Sequence, residues 1–108
     1  MGENTEKIAL TEAVYYILLS LYTPLHGYGI MQNVMKMSHG RVNLAAGTLY
    51  GALTTLQEKG WIIALEDEEN SRKKIYEITD TGKIVIDTEI KRLEELINNG
   101  YDVVRGRD

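Results

Sequence analysis

The sequence predicts a mainly α domain carrying one β-hairpin, and three observations in its 108 residues lead there. Apolar residues recur at helical spacing in four segments. After Gly60 the period changes, and Trp61-Ile62-Ile63-Ala64-Leu65 and Lys74-Ile75-Tyr76-Glu77-Ile78 read as two strands. Between them Glu66 to Lys73 is polar throughout, which makes a hairpin with a protruding loop. The length suits one domain with a single core.

The first helix is expected to start at Thr11 as N-cap and to end near Leu21, because Pro24 disfavours helical geometry in the residue before it. Its core set is Leu10, Ala13, Val14, Ile17, Leu18 and Leu21. Tyr15, Tyr16, Leu19 and Tyr22 fill most of the remaining circumference, so burial from two sides is expected, with a partner surface on the second. The second helix opens within Leu25-His26-Gly27-Tyr28-Gly29-Ile30-Met31, turns Ile30, Val34 and Met37 to one side, and stops at Ser38-His39-Gly40. Gly27 and Gly29 weaken helix propensity, and close packing against a neighbour is the expected reason for them. Arg41 to Ala46 is a short connector.

The third helix begins near Gly47. Leu49, Ala52, Leu53 and Leu56 form one buried stripe, and Thr48, Tyr50, Gly51, Thr54 and Thr55 are left outside. An ordinary solvent-facing helix would carry Glu and Lys there; this face is small, hydroxyl-rich and uncharged. Thr79-Asp80 caps the last helix, with Asp80 at the positive end of its dipole. That helix is expected to run to Asn99-Gly100, with residues 101–108 a loose tail. Ile86, Ile90, Leu93 and Ile97 recur along it at coiled-coil steps with Leu96 beside them, a seam that self-association would bury, while Ile84 and Val85 reach the domain's own core.

Three helices, a hairpin and a further helix in this order form a winged helix-turn-helix: residues 1–80 as the three-helix core with its two-stranded wing, and residues 81–100 as a C-terminal dimerisation helix. In such a domain the third helix enters the major groove of double-stranded DNA. The threonine hydroxyls can donate or accept hydrogen bonds at base edges, and Tyr50 can reach a phosphate. Arg72, Lys73 and Lys74 on the far limb of the hairpin loop can neutralise the adjacent backbone. The net charge of −4 argues against indiscriminate binding, yet the middle of the chain is basic, with Lys36, Arg41 and Lys59 against Glu58 alone. Arg41 joins the expected DNA contacts on that ground.

Other chemistries lack their residues. Without cysteine there is no disulfide, thiolate metal site or cysteine nucleophile. His26 reads as a packed capping residue and His39 as an exposed turn residue, so no metal site or cofactor is expected. No paired base and nucleophile and no phosphate-binding glycine loop point to catalysis. Val14 to Leu21 is too short to span a bilayer and no secretory leader is legible, so a cytoplasmic protein is expected. The competing function is a winged-helix adaptor that turns its third helix to a partner protein.

From Leu10 to about Asn99 the chain resembles the PadR family of bacterial transcriptional regulators. The resemblance is carried by Leu25-His26-Gly27-Tyr28, by Gly47-Thr48-Leu49-Tyr50 followed by Leu53 and Leu56, and by Arg72-Lys73-Lys74-Ile75-Tyr76 leading to Thr79 and Gly82. Gly51 stands where many members have proline, and the single C-terminal helix is similar to that of the short subgroup. The resemblance implies a homodimeric repressor on a near-palindromic operator, controlling its own gene and a neighbouring one, and in some members relieved by a small aromatic or apolar effector. The dimer interface would draw on Tyr15, Tyr16, Leu19, Ile86, Ile90, Leu93, Leu96 and Ile97. By alignment with short multidrug-responsive relatives, a ligand slot across the dimer would be lined by Glu12, Tyr16, Ser20, Glu89, Leu93 and Ile97, with Leu93 standing where one such relative has a drug-stacking tryptophan.

Overall fold

The computed structural model describes residues 9–67, 69 and 73–106. Its elements are α1 (Glu12–Ser20), α2 (Gly27–Met37), α3 (Ala46–Glu58), β1 (Ile62–Glu66), β2 (Lys74–Ile78) and α4 (Asp80–Arg105). Threonine caps begin the first and last helices, as their sequence positions suggest. Thr11 Oγ1 accepts from Val14 N at 3.1 Å. Thr79 Oγ1 accepts from Gly82 N at 3.1 Å and donates to the Gly60 carbonyl at 2.7 Å, so one hydroxyl both starts α4 and ties it to the turn after α3.

The hairpin is antiparallel, with Ile62 opposite Ile78 and Glu66 opposite Lys74. Its second strand has another neighbour. Leu25 and Tyr76 exchange two backbone hydrogen bonds, at 3.1 and 2.9 Å, and Ile78 N donates to the Leu21 carbonyl at 2.9 Å. The corner between α1 and α2 thus runs beside β2 almost as a third strand. Apolar side chains from every layer meet behind it: Ile17, Leu18 and Leu21 of α1 and its cap, Ile30 and Val34 of α2, and Leu49, Leu53 and Leu56 of α3. Ile62, Tyr76 and Ile78 of the hairpin and Ile86 of α4 close that core.

Two expectations about the inner face of the last helix change. Ile86 is 1% exposed in the core, not on a dimer seam, and Ile84, expected to reach that core, is 65% exposed. The phase of α4 is set where it crosses the hairpin base. A Cβ on Gly82 would overlap the Trp61 carbonyl oxygen and lie 2.6 Å from Ile78 Cγ1. This approach turns Ile86 inward, one turn further on. Within one chain α1 buries a single face; Tyr15, Tyr16 and Leu19 are half-buried and Tyr22 is exposed.

The tail expected to be loose is helical through Arg105. Asn99-Gly100 does not end α4; an exposed helical glycine costs only about 1 kcal/mol. Arg105 lies 4.2 Å from the Tyr101 ring centroid and at the negative end of the helix dipole, and Gly106 supplies the left-handed stop at φ 67°. At 1.5 Å per residue the 26-residue helix is about 39 Å long, well beyond the part that packs on the core.

In urea denaturation at equal protein concentration, Ile86→Ala is expected to cost about 2–5 kcal/mol. Ile84→Ala should change stability by less than about 0.5 kcal/mol. Equal losses would place the inward face of α4 elsewhere.

Candidate nucleic-acid interface

The inner stripe of α3 sinks into the core at Leu49, Leu53 and Leu56, and this fixes which residues face outward. Thr48, Tyr50, Gly51, Thr54 and Thr55 are all exposed, as the periodicity implies. The two distal threonines are more constrained than the sequence suggests. Thr54 Oγ1 donates to the Tyr50 carbonyl at 3.0 Å and Thr55 Oγ1 to the Gly51 carbonyl at 3.2 Å. Their hydroxyl protons are spent on the preceding turn, so they offer lone pairs and a methyl outward. They are suited to accept from adenine or cytosine amino groups and to pack on thymine methyls.

Beside α3 lies a cleft of about 330 Å³ lined by His26, Gly27, Tyr28, Tyr50, Lys73, Lys74 and Tyr76. It joins α2, α3 and the wing. Tyr50 reaches it by lying against Gly27, where any Cβ would collide with the phenol oxygen and ring carbon Cζ; this is the close packing expected of that glycine. Gly29 has only an ordinary 3.4 Å approach to Leu25. His26 occupies the N-cap of α2, but its side chain makes no capping hydrogen bond there. The first-turn N–H groups of α2 therefore receive no acceptor from the N-cap side chain, and Gly27 and Tyr28 of that turn line the cleft, an arrangement that suits a phosphate. Tyr28 is 66% exposed and accepts from Gln32 Nε2 at 3.0 Å, which leaves its own O–H proton to donate. The Tyr76 phenol, by contrast, is held protonated above its ordinary range by burial and, less strongly, by Tyr50.

Of the residues singled out in the sequence, Tyr50, Lys73 and Lys74 come together in this cleft, and Arg72 lies outside the described residues. A Cβ on Gly51 would meet nothing within 4 Å, so no close approach within the chain requires glycine there. Arg41 is instead committed to Glu12, with its Nε donating to Oε2 at 2.8 Å and Nη2 bonding the same oxygen. Charge counting could not find that pairing, which joins the start of α1 to the segment after α2. The cleft also takes in His26 and Tyr28, which periodicity and charge did not single out although they stand in the Leu25-His26-Gly27-Tyr28 motif.

The six residues of the implied ligand slot do not converge within one chain. Glu12 holds Arg41, and Tyr16 is half-buried against the core. Ser20 is buried, donating to the Tyr16 carbonyl at 2.8 Å and accepting from Asn33 at 3.0 Å. Glu89 is 4% exposed and accepts two bonds from Arg92 at 2.7 Å and one from Leu10 N at 3.2 Å. Those contacts, the Arg92 bonds first, hold its carboxyl below the ordinary 4.5 against the opposing effect of burial. Leu93 and Ile97 do line an open apolar groove of about 500 Å³ between α1 and α4, with Tyr15, Ile90, Glu94 and Leu96.

A three-helix core that turns an uncharged hydroxyl face outward beside a lysine-bearing wing is a winged helix-turn-helix DNA-binding domain. Residues 16–88 match the transcriptional regulator PadR-like family, and the chain belongs to that family. Members of that family are transcriptional regulators, not enzymes.

A candidate transcriptional regulator from Thermoplasma acidophilum superposes with a TM-score of 0.66 at 26% identity, over 89% of this chain and 91% of that one. Two more distant structures share the fold. One is a transcriptional regulator from Clostridium thermocellum, with TM-score 0.70, 22% identity and coverage of 86% and 89%. The other is a PadR family transcriptional regulator from Eggerthella lenta, with TM-score 0.65, 22% identity and coverage of 88% and 82%. An uncharacterized 37.1 kDa protein in transposon TN4556 of Streptomyces fradiae is 32% identical over 79 residues, covering 73% of this chain. The chain spans only 22% of that relative's length. Among the described residues no helix is long and apolar enough to cross a membrane, and no group of three or more His, Cys, Asp or Glu could hold a metal ion.

Two outcomes follow from this geometry. Glu89 binds its proton less readily when folded, so its contribution is present above about pH 4.5 and is lost as pH falls through the lowered folded value. Glu89→Gln should therefore flatten the loss of stability on acidification below pH 4.5, measured by thermal melts at several pH values; an unchanged acid profile would contradict the assigned contacts. At α3, Thr54→Val keeps the methyl and removes the acceptor. It should relax discrimination at one base position by about 1–3 kcal/mol in a binding-site selection, whereas Thr54→Ser should keep it.

Proposed function

We propose that the chain is a homodimeric repressor that binds a near-palindromic operator, with α3 of each protomer in a major groove and each wing on the flanking backbone. The observation that carries this is the cleft where Tyr28, Tyr50, Lys73 and Lys74 meet the uncapped start of α2, directly beside the hydroxyl face of α3. A phosphate in that cleft would take charge from the lysines and hydrogen bonds from the phenols and backbone. Base selection would then rest with Thr48, Thr54 and Thr55.

The dimer is supported by the distal half of α4. Leu93, Leu96 and Ile97 are 38%, 53% and 52% exposed and continue into the apolar groove against Tyr15. Apolar surface contiguous over that distance is usually covered. Two copies would also supply the affinity that one uncharged recognition helix lacks. The same groove is the place where a small aromatic or apolar effector would act, by changing how two α4 helices cross and hence the half-site spacing. Control of its own gene and a neighbour, from the cytoplasm, completes the proposal.

Gel shifts on the DNA upstream of its own gene, run between about 50 and 200 mM salt, test it. Lys73→Ala and Lys74→Ala should each weaken binding to all sequences alike and lower the salt slope by about 1. No sequence preference at any salt would contradict the proposal. Sedimentation should give a dimer for the native chain and a monomer for Leu93→Glu combined with Ile97→Glu.

A further inference from the structure

The base of the wing is fixed through the backbone, by the Leu25–Tyr76 pair and by Ile78 N on the Leu21 carbonyl. Lys73 and Lys74 lie beyond those bonds, toward the loop. There the helical core reaches the wing through His26, whose Nε2 is 2.8 Å from Asp67 Oδ2 across 41 positions of sequence. Asp67 also organises the loop itself. Its Oδ1 accepts from Glu69 N at 2.9 Å, and its backbone N donates to the Lys73 carbonyl at 3.4 Å. The side chain that could have capped α2 is thus committed to the residue that shapes the start of the loop. His26 lines both clefts flanking Lys73, the one of about 330 Å³ with Tyr50 and Lys74 and another of about 290 Å³ with Pro24 and Ile75.

We propose that His26 is the positioning residue of the DNA-binding surface: by holding Asp67 it sets the wing's angle to α2, and with it the placement of Lys73 and Lys74 relative to α3. This rests on the operator-binding proposal and adds a proton to it. Sharing its surroundings are Asp67 and Lys73 from the loop, Lys74 and Tyr76 from β2, Tyr28 from α2 and Tyr50 from α3. A neutral ring donates an ordinary hydrogen bond from Nε2 to the carboxylate; a protonated ring donates a charge-assisted one, roughly twice as strong. A DNA phosphate seated in this cleft would add negative charge beside the ring, so operator binding takes up a proton and is favoured as pH falls.

Operator affinity measured by fluorescence anisotropy at fixed salt between pH 8 and pH 6, where a histidine gains its proton, tests this. The native chain should tighten several-fold over that interval, within the limit of about tenfold per pH unit that uptake of one proton allows. His26→Gln, which still donates a neutral hydrogen bond, should bind close to the native level at pH 8 and show a flat profile. His26→Ala and Asp67→Asn should each weaken binding, and the double variant should be no weaker than the poorer single, because both remove one contact. A native-like pH profile in His26→Gln, or additive losses in the double variant, would overturn the proposal. If His26→Ala does not fold, the His26→Gln profile decides.

The hold on the wing is also read without DNA. In NMR of the free native chain, the Glu69 and Lys73 amide shifts should titrate with His26 and stop doing so in His26→Gln; shifts that ignore His26 would overturn its role. Native protein that binds no operator at any pH or salt, while those shifts do titrate, would overturn operator binding and leave the structural coupling standing.

Discussion

The wing belongs to the core because the corner between α1 and α2 has nowhere else to place its backbone. Residues 21–25 leave one helix and enter another, and Pro24 among them has no N–H to offer. The Leu21 carbonyl and both polar groups of Leu25 are satisfied by β2. Each such bond contributes only about 0.5–1.5 kcal/mol net, but leaving a buried backbone group unpaired costs about 1–3 kcal/mol. The hairpin is therefore required by the corner. Its placement then brings Tyr76 over the core at 7% exposure and sets the start of α2 beside β2.

From that seam follows a division of labour across the interface. Gly27 lets Tyr50 lie over the first turn of α2, which carries a residue of α3 into the cleft shared with the wing. The recognition helix itself brings no charge to its outward face until Glu58 at its end. Beside it the charge comes from Lys73 and Lys74 at the foot of the wing, in a chain whose net charge is −4. A surface built this way gains affinity where positive charge is concentrated and discrimination where it is absent. The acidic residues of α4 face solvent away from the core or, as with Glu89, are consumed by an arginine on the same helix.

Local and periodic features were legible in the sequence. The threonine caps at Thr11 and Thr79, the α3 stripe and the change of period after Gly60 each depend on neighbours within a few residues, and each stands where the pattern puts it. What the sequence hid depends on distant partners. Ile86 fits a heptad seam as well as it fits a core, and only the approach of Gly82 to Trp61 settles which way it turns. Arg41 looks like a free cation until Glu12 is found beside it. His26 looks like a helix cap, yet its ring partner is in the wing loop. Asn99-Gly100 resembles a helix stop, but α4 tolerates the glycine and ends at Gly106, whose left-handed backbone is the true terminator.

The central claim is that the corner–β2 seam makes the wing part of the core. Native-state amide hydrogen exchange measures it most directly, at Tyr76 and Ile78 on β2 and at Leu25 on the corner, with Leu53 in α3 as the core reference. If the seam is as described, those three amides exchange only through global unfolding, with the same opening free energy as Leu53. Exchange at Tyr76 and Leu25 through a lower-energy opening, while Leu53 stays protected, would mean that the wing is an appendage and would contradict the account.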